Sequence, residues 1–396
     1  MIQVSYRFPS TIDANKQAKI IAIGQTVGSW GAQFTHREQA MLAHTAEVVS
    51  VVKNQDNTST ATIGFPRINT EDDIPSLLTM IFGKFSLAGP ARIIDIQLPD
   101  DYGLTPKLGL SGIQRRTGVT DRPLVMGIFK PALGLSAEDH GELLREVAIA
   151  GLDIIKDDEI NFDLKTAPTH RRVEVCRNVI DEVRKDYGRE IMYAVNLSGR
   201  ADQMVAKAKS LIDAGANALL LNVFCYGFSV LESLAASPDI NIPIFTHPAL
   251  SGALGGAADG SGEYGIDYAV SLGTLMTFAG ADAVLYPAHY GSLPVAAETE
   301  FRIRDILRAS GSQRPAVLPV PSAGIHPGVV ARAMSDYGND VALNAGSAIF
   351  DHPDGPAVGT KAFFEAIAIV QQGRMLDLNS IEPGPLKTAL EKWGVS

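Results

Sequence analysis

Eight short apolar runs, each followed by an amphipathic stretch, constrain the fold of this chain more than any other feature. The runs cover residues 124–129, 152–156, 191–196, 218–223, 242–246, 283–286, 316–320 and 341–345. Each is strand-sized and rich in Val, Ile, Leu or Ala, the pattern of strands buried on both faces. The segments between them place apolar residues at helical spacing, as Leu143, Leu144, Val147 and Ala148 do. Eight strand–helix units predict an α/β chain with a (β/α)8 TIM barrel. A doubly wound sheet, the rival arrangement, has no need of eight.

The first hundred residues have a different rhythm. Residues 2–8 read as a strand and 14–24 as a helix, then 47–53 and 60–65 as two strands joined by a polar turn. Glu71, Asp72 and Asp73 open a helix expected to run to about residue 85, with acids at its positive end. Residues 91–98 form another strand. This β-α-β-β-α-β order predicts a ferredoxin-like α+β domain over residues 1–120. A Gly-, Pro- and Arg-rich connection over 99–118 leads into a barrel domain over 121–396, with a helical tail from about residue 380.

Net charge is −10 and no basic block occurs, which argues against a nucleic-acid or anionic-membrane partner. The two cysteines, Cys176 and Cys225, have neither metal nor disulfide spacing and are expected as buried free thiols in a reducing cytoplasm. Residues 1–17 lack a signal-peptide pattern, and residues 268–286 read as a buried helix followed by a strand, so a cytoplasmic protein is expected.

In a TIM barrel the chemistry sits at the C-terminal ends of the strands. Those ends here carry Lys130, then Lys156-Asp157-Asp158-Glu159, then Asn196, Asn222, His247 and His289. Strand alternation puts Ile154, Lys156 and Asp158 on one face, with Ile155 and Asp157 on the other. Asp158 and Glu159 are hard oxygen ligands suited to Mg2+, and an ion pair with Lys156 is the competing reading. Asp157 is expected to brace the loop or a neighbouring lysine. Lys130 is a candidate proton carrier or anion holder, and His247 a candidate partner for a substrate oxygen. The loops after strands seven and eight, with Ser322, Gly324, Gly346 and Ser347, are small enough for backbone N–H groups to approach a phosphate. His326 is expected to start a helix. The Gly-rich segment 252–265 lacks a P-loop ending and reads as a mobile loop over the rim.

At these residues the chain resembles the large chain of RuBisCO. The resemblance is carried by KPALGLS at 130–136, GLDIIKDDE at 151–159, SAGIH at 322–326 and the turn at Gly346. It implies that Lys156 is carbamylated by CO2 and that the carbamate joins Asp158 and Glu159 around Mg2+. Three departures separate the chain from true carboxylases. Ser292 stands where the strand-six loop carries a lysine, Ala132 replaces a second lysine, and Gly346-Ser347 replaces paired glycines. The chain therefore looks like a RuBisCO-like protein that does not fix CO2.

Within that group TVGSW at 26–30, FGKFS at 82–86, YAVNLSGR at 193–200 and HPALSG at 247–252 resemble the 2,3-diketo-5-methylthiopentyl-1-phosphate enolases of methionine salvage. The resemblance implies Lys84 as general base, reaching the barrel of a partner subunit in a homodimer, and places Trp30 and Asn196 with the substrate-binding residues. The expected chemistry is Mg2+-dependent formation of an enolate from a phosphorylated keto-sugar or keto-sugar acid. The first expectation is a decarboxylase of the 3-oxo-isoapionate 4-phosphate type. The alternatives are the methionine-salvage enolase and a non-catalytic relative that binds a sugar phosphate.

Overall fold

The computed structural model describes residues 1–29, 31–255, 262–293, 295–311 and 313–395. It contains two sheets, one five-stranded and one eight-stranded. The N-terminal sheet is ordered Gly265–Ile266, Arg92–Gln97, Ile2–Phe8, Ser59–Phe65, Glu47–Lys53. Its pairings are antiparallel except the first, between Gly265–Ile266 and Arg92-Ile93. Alternation along Ile2–Phe8 buries Ile2, Val4, Tyr6 and Phe8 against the helix Ala14–Gly24 and its neighbours.

The helix expected over 71–85 is shorter and broken. Asp73 caps it by accepting from the Ser76 N–H at 2.7 Å, and Ile74–Leu78 is α-helical. A π turn, Thr79–Gly83, and a 3-10 turn, Phe85–Leu87, follow it. The acids at 71 and 72 therefore precede the helix. Asp72 instead pairs with Arg67.

The eight predicted barrel strands all form, and each hydrogen-bonded pair is parallel. In chain order they are Leu124–Ile128, Ile154–Lys156, Met192–Asn196, Ala218–Leu221, Ile244–Thr246, Ala283–Pro287, Leu318–Ser322 and Ala342–Ala345. The eighth pairs with the first, and the sheet runs 7-6-5-4-3-2-1-8. Between strands seven and eight the side chains meet, where Asn344 Nδ2 donates to Ser322 Oγ at 2.8 Å. Val223, expected to extend strand four, turns instead into the short helix Val223–Tyr226.

Met126, Ile154, Ala194, Leu220, Phe245, Leu285 and Val320 fill the barrel interior. Val125, Ile155, Tyr193, Leu219 and Val284 point outward into the helical layer. The segment read as a connection contains a helix, Gly109–Thr117, whose Leu110 and Ile113 plug the barrel floor. Gly109 adopts φ +56°, and a Cβ there would lie 2.4 Å from the Ala316 carbonyl. Fully buried Asp282 anchors the plug by accepting from the Leu108, Gly109 and Ile244 N–H groups at 2.6, 2.9 and 2.8 Å.

The predicted tail helix is Pro385–Trp393. Cys176 is buried as expected, but Cys225 is exposed. No helix among the described residues is long and apolar enough to cross a membrane.

Candidate active site

The second barrel strand sets the site through simple alternation. Ile154 points into the barrel and Ile155 into the outer layer, so Lys156 turns inward again, with no exposed surface. Its Nζ lies 3.0 Å from the Asp157 carbonyl and 3.5 Å from Glu159 Oε2. Burial pushes the Lys156 amine below its ordinary pKa, against the pull of the neighbouring acids. Asp158 pairs not with Lys156 but with Lys130, whose Nζ donates to Oδ2 at 2.7 Å. Glu159 Oε2 also lies 3.3 Å from His247 Nε2.

His247 Nδ1 accepts the Ala249 N–H at 3.1 Å, which leaves the ring proton on Nε2, facing Glu159. Burial, reinforced by the Lys156 charge, holds the His247 pKa well below its usual value, so the ring is neutral at pH 7. The residue is thus satisfied by backbone on one side and by a site carboxylate on the other.

Asp157 faces the opposite way, as alternation requires. It braces the loop through Arg172 rather than a lysine: Arg172 Nη2 donates to Oδ2 at 3.0 Å, and neither side chain is exposed. Tyr193 OH and the Asn196 N–H complete its shell at 2.8 and 3.0 Å. Asn196 Nδ2 and Asn222 Nδ2 both donate to the carbonyl oxygen of Glu159, at 3.1 and 3.0 Å. The Oδ1 atoms of the two asparagines are buried without a hydrogen-bond partner among the described residues.

Beyond Lys130 the rim opens into a cavity of about 300 Å³. Lys130, Ser292, Gly324, Asn344, Gly346, Ser347 and Trp393 are among the residues that line it. The close approach of chains here needs glycine. A Cβ on Gly324, at φ +95°, would lie 2.7 Å from the Ser292 nitrogen, and one on Gly346 would lie 3.2 Å from Lys130 Cε. The strand-six and strand-seven loops are tied by Ala288 N–H to Ser322 O at 3.0 Å and Ser292 N–H to Ala323 O at 2.8 Å.

The structure therefore brings together Lys130, Lys156, Asp158, Glu159, Asn196 and His247, and gathers Gly324, Gly346 and Ser347 around the cavity next to Lys130. Ser322 is not among the residues that line the cavity, and its hydroxyl donates to the Val320 carbonyl at 3.0 Å. His326 starts a 3-10 turn, Pro327–Val329, by accepting the Gly328 N–H. His289 Nδ1 is held by Glu300 Oε2 at 2.6 Å. Lys84 is exposed in the N-terminal domain, and among the described residues its side chain makes no hydrogen bond or ion pair. Trp30 lies outside the described residues, as does the centre of the Gly-rich loop, residues 256–261.

Asn222, Asn344 and Trp393 carry no assigned role in the sequence reading. Asn344 is detectable as a polar residue on the interior-facing register of an apolar run, whereas Trp393 sits on a distant tail and gives no signal.

Among the described residues no group of three or more His, Cys, Asp or Glu is arranged to hold a metal. Two carboxylates and a buried lysine of lowered pKa are one anionic oxygen short of such a set. Hard oxygen donors, and two asparagine oxygens without a partner among the described residues, suit Mg2+ with its water shell.

Residues 109–393 match the family described as ribulose bisphosphate carboxylase large chain, catalytic domain. A 2,3-diketo-5-methylthiopentyl-1-phosphate enolase from Microcystis aeruginosa is 55% identical over 393 residues, covering 99% of this chain and all of that protein. The enzyme of the same name from Bacillus licheniformis is 41% identical, covering 96% of this chain and 95% of its own. Among solved structures, a RuBisCO-like protein from Alicyclobacillus acidocaldarius superposes with a TM-score of 0.89 at 40% identity, over 99% of this chain and 100% of that one. The octameric RuBisCO of Pyrococcus horikoshii gives the same TM-score at 26% identity, over 99% and 93%.

Proposed function

The chain belongs to the RuBisCO large-chain family, and from that premise we propose that it is a Mg2+-dependent 2,3-diketo-5-methylthiopentyl-1-phosphate enolase that does not fix CO2. The observation that carries this reading is end-to-end identity of 55% with a protein of that name. It displaces the decarboxylase of the first expectation and favours the methionine-salvage enolase named as an alternative to it.

In this reading residues 1–120 carry the ferredoxin-like unit, with their last helix, Gly109–Thr117, lent to the barrel floor, and residues 121–396 form the catalytic barrel. The lowered pKa of Lys156 favours the neutral amine, the form that adds CO2 and sheds a proton to become a carbamate. Lys156 as carbamate, Asp158 and Glu159 would hold Mg2+, which supplies positive charge for the oxygens of the substrate as the enolate develops. Lys130 must release Asp158 for this, and its ammonium is then free to turn to the cavity that adjoins it. That cavity would take the substrate phosphate, with Gly324, Gly346 and Ser347 offering backbone N–H groups and Lys130 the charge. Neutral His247, protonated on Nε2, would donate to a substrate oxygen once Glu159 turns to the metal. Lys84, delivered from a partner subunit in a homodimer, would remove the proton.

A non-catalytic role fits poorly, because a lysine without exposed surface among acids does nothing for barrel stability. The test is incubation with 2,3-diketo-5-methylthiopentyl 1-phosphate, Mg2+ and bicarbonate in D2O. Solvent deuterium should enter the substrate carbon, and labelled bicarbonate with ribulose bisphosphate should give no fixed label. Absence of exchange, or clear carbon fixation, overturns the proposal.

A further inference from the structure

The phosphate cavity has one wall from outside the barrel rim. Trp393, the last residue of the helix Pro385–Trp393, lines it together with Lys130 and the glycine loops. The helix is docked through buried Leu386, Ala389 and Leu390, and Glu365 caps its start by accepting the Leu386 N–H at 2.9 Å. Its far end is fastened to both loops that build the cavity. On the strand-eight side, Lys392 donates to the Asp351 carbonyl, and the His352 ring lies 6.3 Å from the Trp393 ring. On the strand-seven side, the Gly394 carbonyl presses on Gly328 so closely that a Cβ there would lie 1.9 Å away.

We propose that Trp393 is a ligand-binding residue: its indole closes the outer side of the cavity against a terminal phosphate monoester. This rests on the reading of the cavity as the phosphate pocket. An apolar wall excludes water from one side of the anion, so Lys130 and the backbone N–H donors act on it at lower dielectric. The wall meets the phosphate alike before and during the reaction, so its contact is uniform binding of ground and transition states. Loss of the wall therefore raises KM and leaves kcat in place.

The chain has two tryptophans, Trp30 and Trp393, which makes the wall optically addressable. Inorganic phosphate is titrated into wild type, Trp393→Phe and Trp393→Ala, each checked for folding by circular dichroism, with binding by calorimetry and emission recorded together. In wild type, phosphate binds and shifts tryptophan emission, and in Trp393→Phe it binds within about threefold of wild type with that shift reduced. In Trp393→Ala affinity falls about tenfold and KM for the keto-sugar phosphate rises in parallel, with kcat within about twofold. Wild type that binds no phosphate overturns the pocket reading and this inference with it. Phosphate that binds wild type and Trp393→Ala equally, or an emission shift undiminished in Trp393→Phe, overturns the role of Trp393 alone.

Discussion

Asn196 and Asn222, from the ends of neighbouring strands, donate to the same oxygen, the Glu159 carbonyl, at 3.1 and 3.0 Å. One carbonyl gripped by two rigid strand ends fixes the backbone that carries a proposed metal ligand. Groups that orient ligands from behind typically matter about 10- to 100-fold in metal affinity. Asn222→Ala should therefore weaken Mg2+ binding about tenfold, read by calorimetry with bicarbonate present. Unchanged Mg2+ affinity in a folded variant would remove Asn222 from the site.

Lys84 and Lys156 offer a test of the shared site. Lys84→Ala and Lys156→Ala should each be inactive, yet mixing equal amounts with subunit exchange should restore about a quarter of wild-type activity. Half of the dimers are mixed, and each mixed dimer holds one intact site of two. Lys84→Ala that is active alone, or no recovery after verified exchange, counts against a base supplied by the partner.

The Asp157–Arg172 pair has no exposed surface on either side chain. Arg172→Met strands a buried carboxylate with only Tyr193 OH and one N–H for company. A loss of about 3–5 kcal/mol in unfolding free energy is expected. Urea denaturation measures it, and Asp157→Asn added to Arg172→Met should recover part of the loss.

Glu232 predicts a pH effect on stability. It sits where the barrel layer meets the N-terminal domain, with Oε1 accepting the Ile74 N–H at 2.8 Å, and burial raises its pKa to about 7 from 4.5. The folded chain then binds this proton more tightly than the unfolded one, so its contribution to stability falls as pH rises from 4.5 to about 7 and is flat above. Glu232→Gln should flatten that decline in urea midpoints measured across the window. An unchanged slope would mean that the carboxyl titrates normally.

Period and spacing are enough to read the barrel, because a strand buried on both faces must be a short apolar run, and eight such runs close in one familiar way. The inward turn of Lys156 and the outward turn of Asp157 are equally legible, since alternation is a local property of backbone geometry. Pairings across the barrel are not. Asp158 meets Lys130 rather than Lys156, and Asp157 meets Arg172, because those partners are set by the curvature of the sheet and by how the next helix, Thr169–Tyr187, folds back on its strand. Gly109–Thr117 escapes notice for another reason: its glycines and arginines look like a linker, and only the open floor of a barrel gives Leu110 and Ile113 a reason to be apolar.

The two-residue strand Gly265–Ile266 leaves the barrel half of the chain to extend the N-terminal sheet beside Arg92-Ile93. A chain cut after residue 120 would lack that strand and leave the edge at Arg92-Ile93 bare as well. An open, apolar sheet edge invites pairing with other chains, so such a fragment would tend to self-associate. The barrel half, expressed alone, would meanwhile hold Asp267 without Arg92, which lies 3.4 Å from it in the intact chain. The two halves are therefore chaperones of one another, and splitting the gene between them should yield little protein unless both pieces are made together.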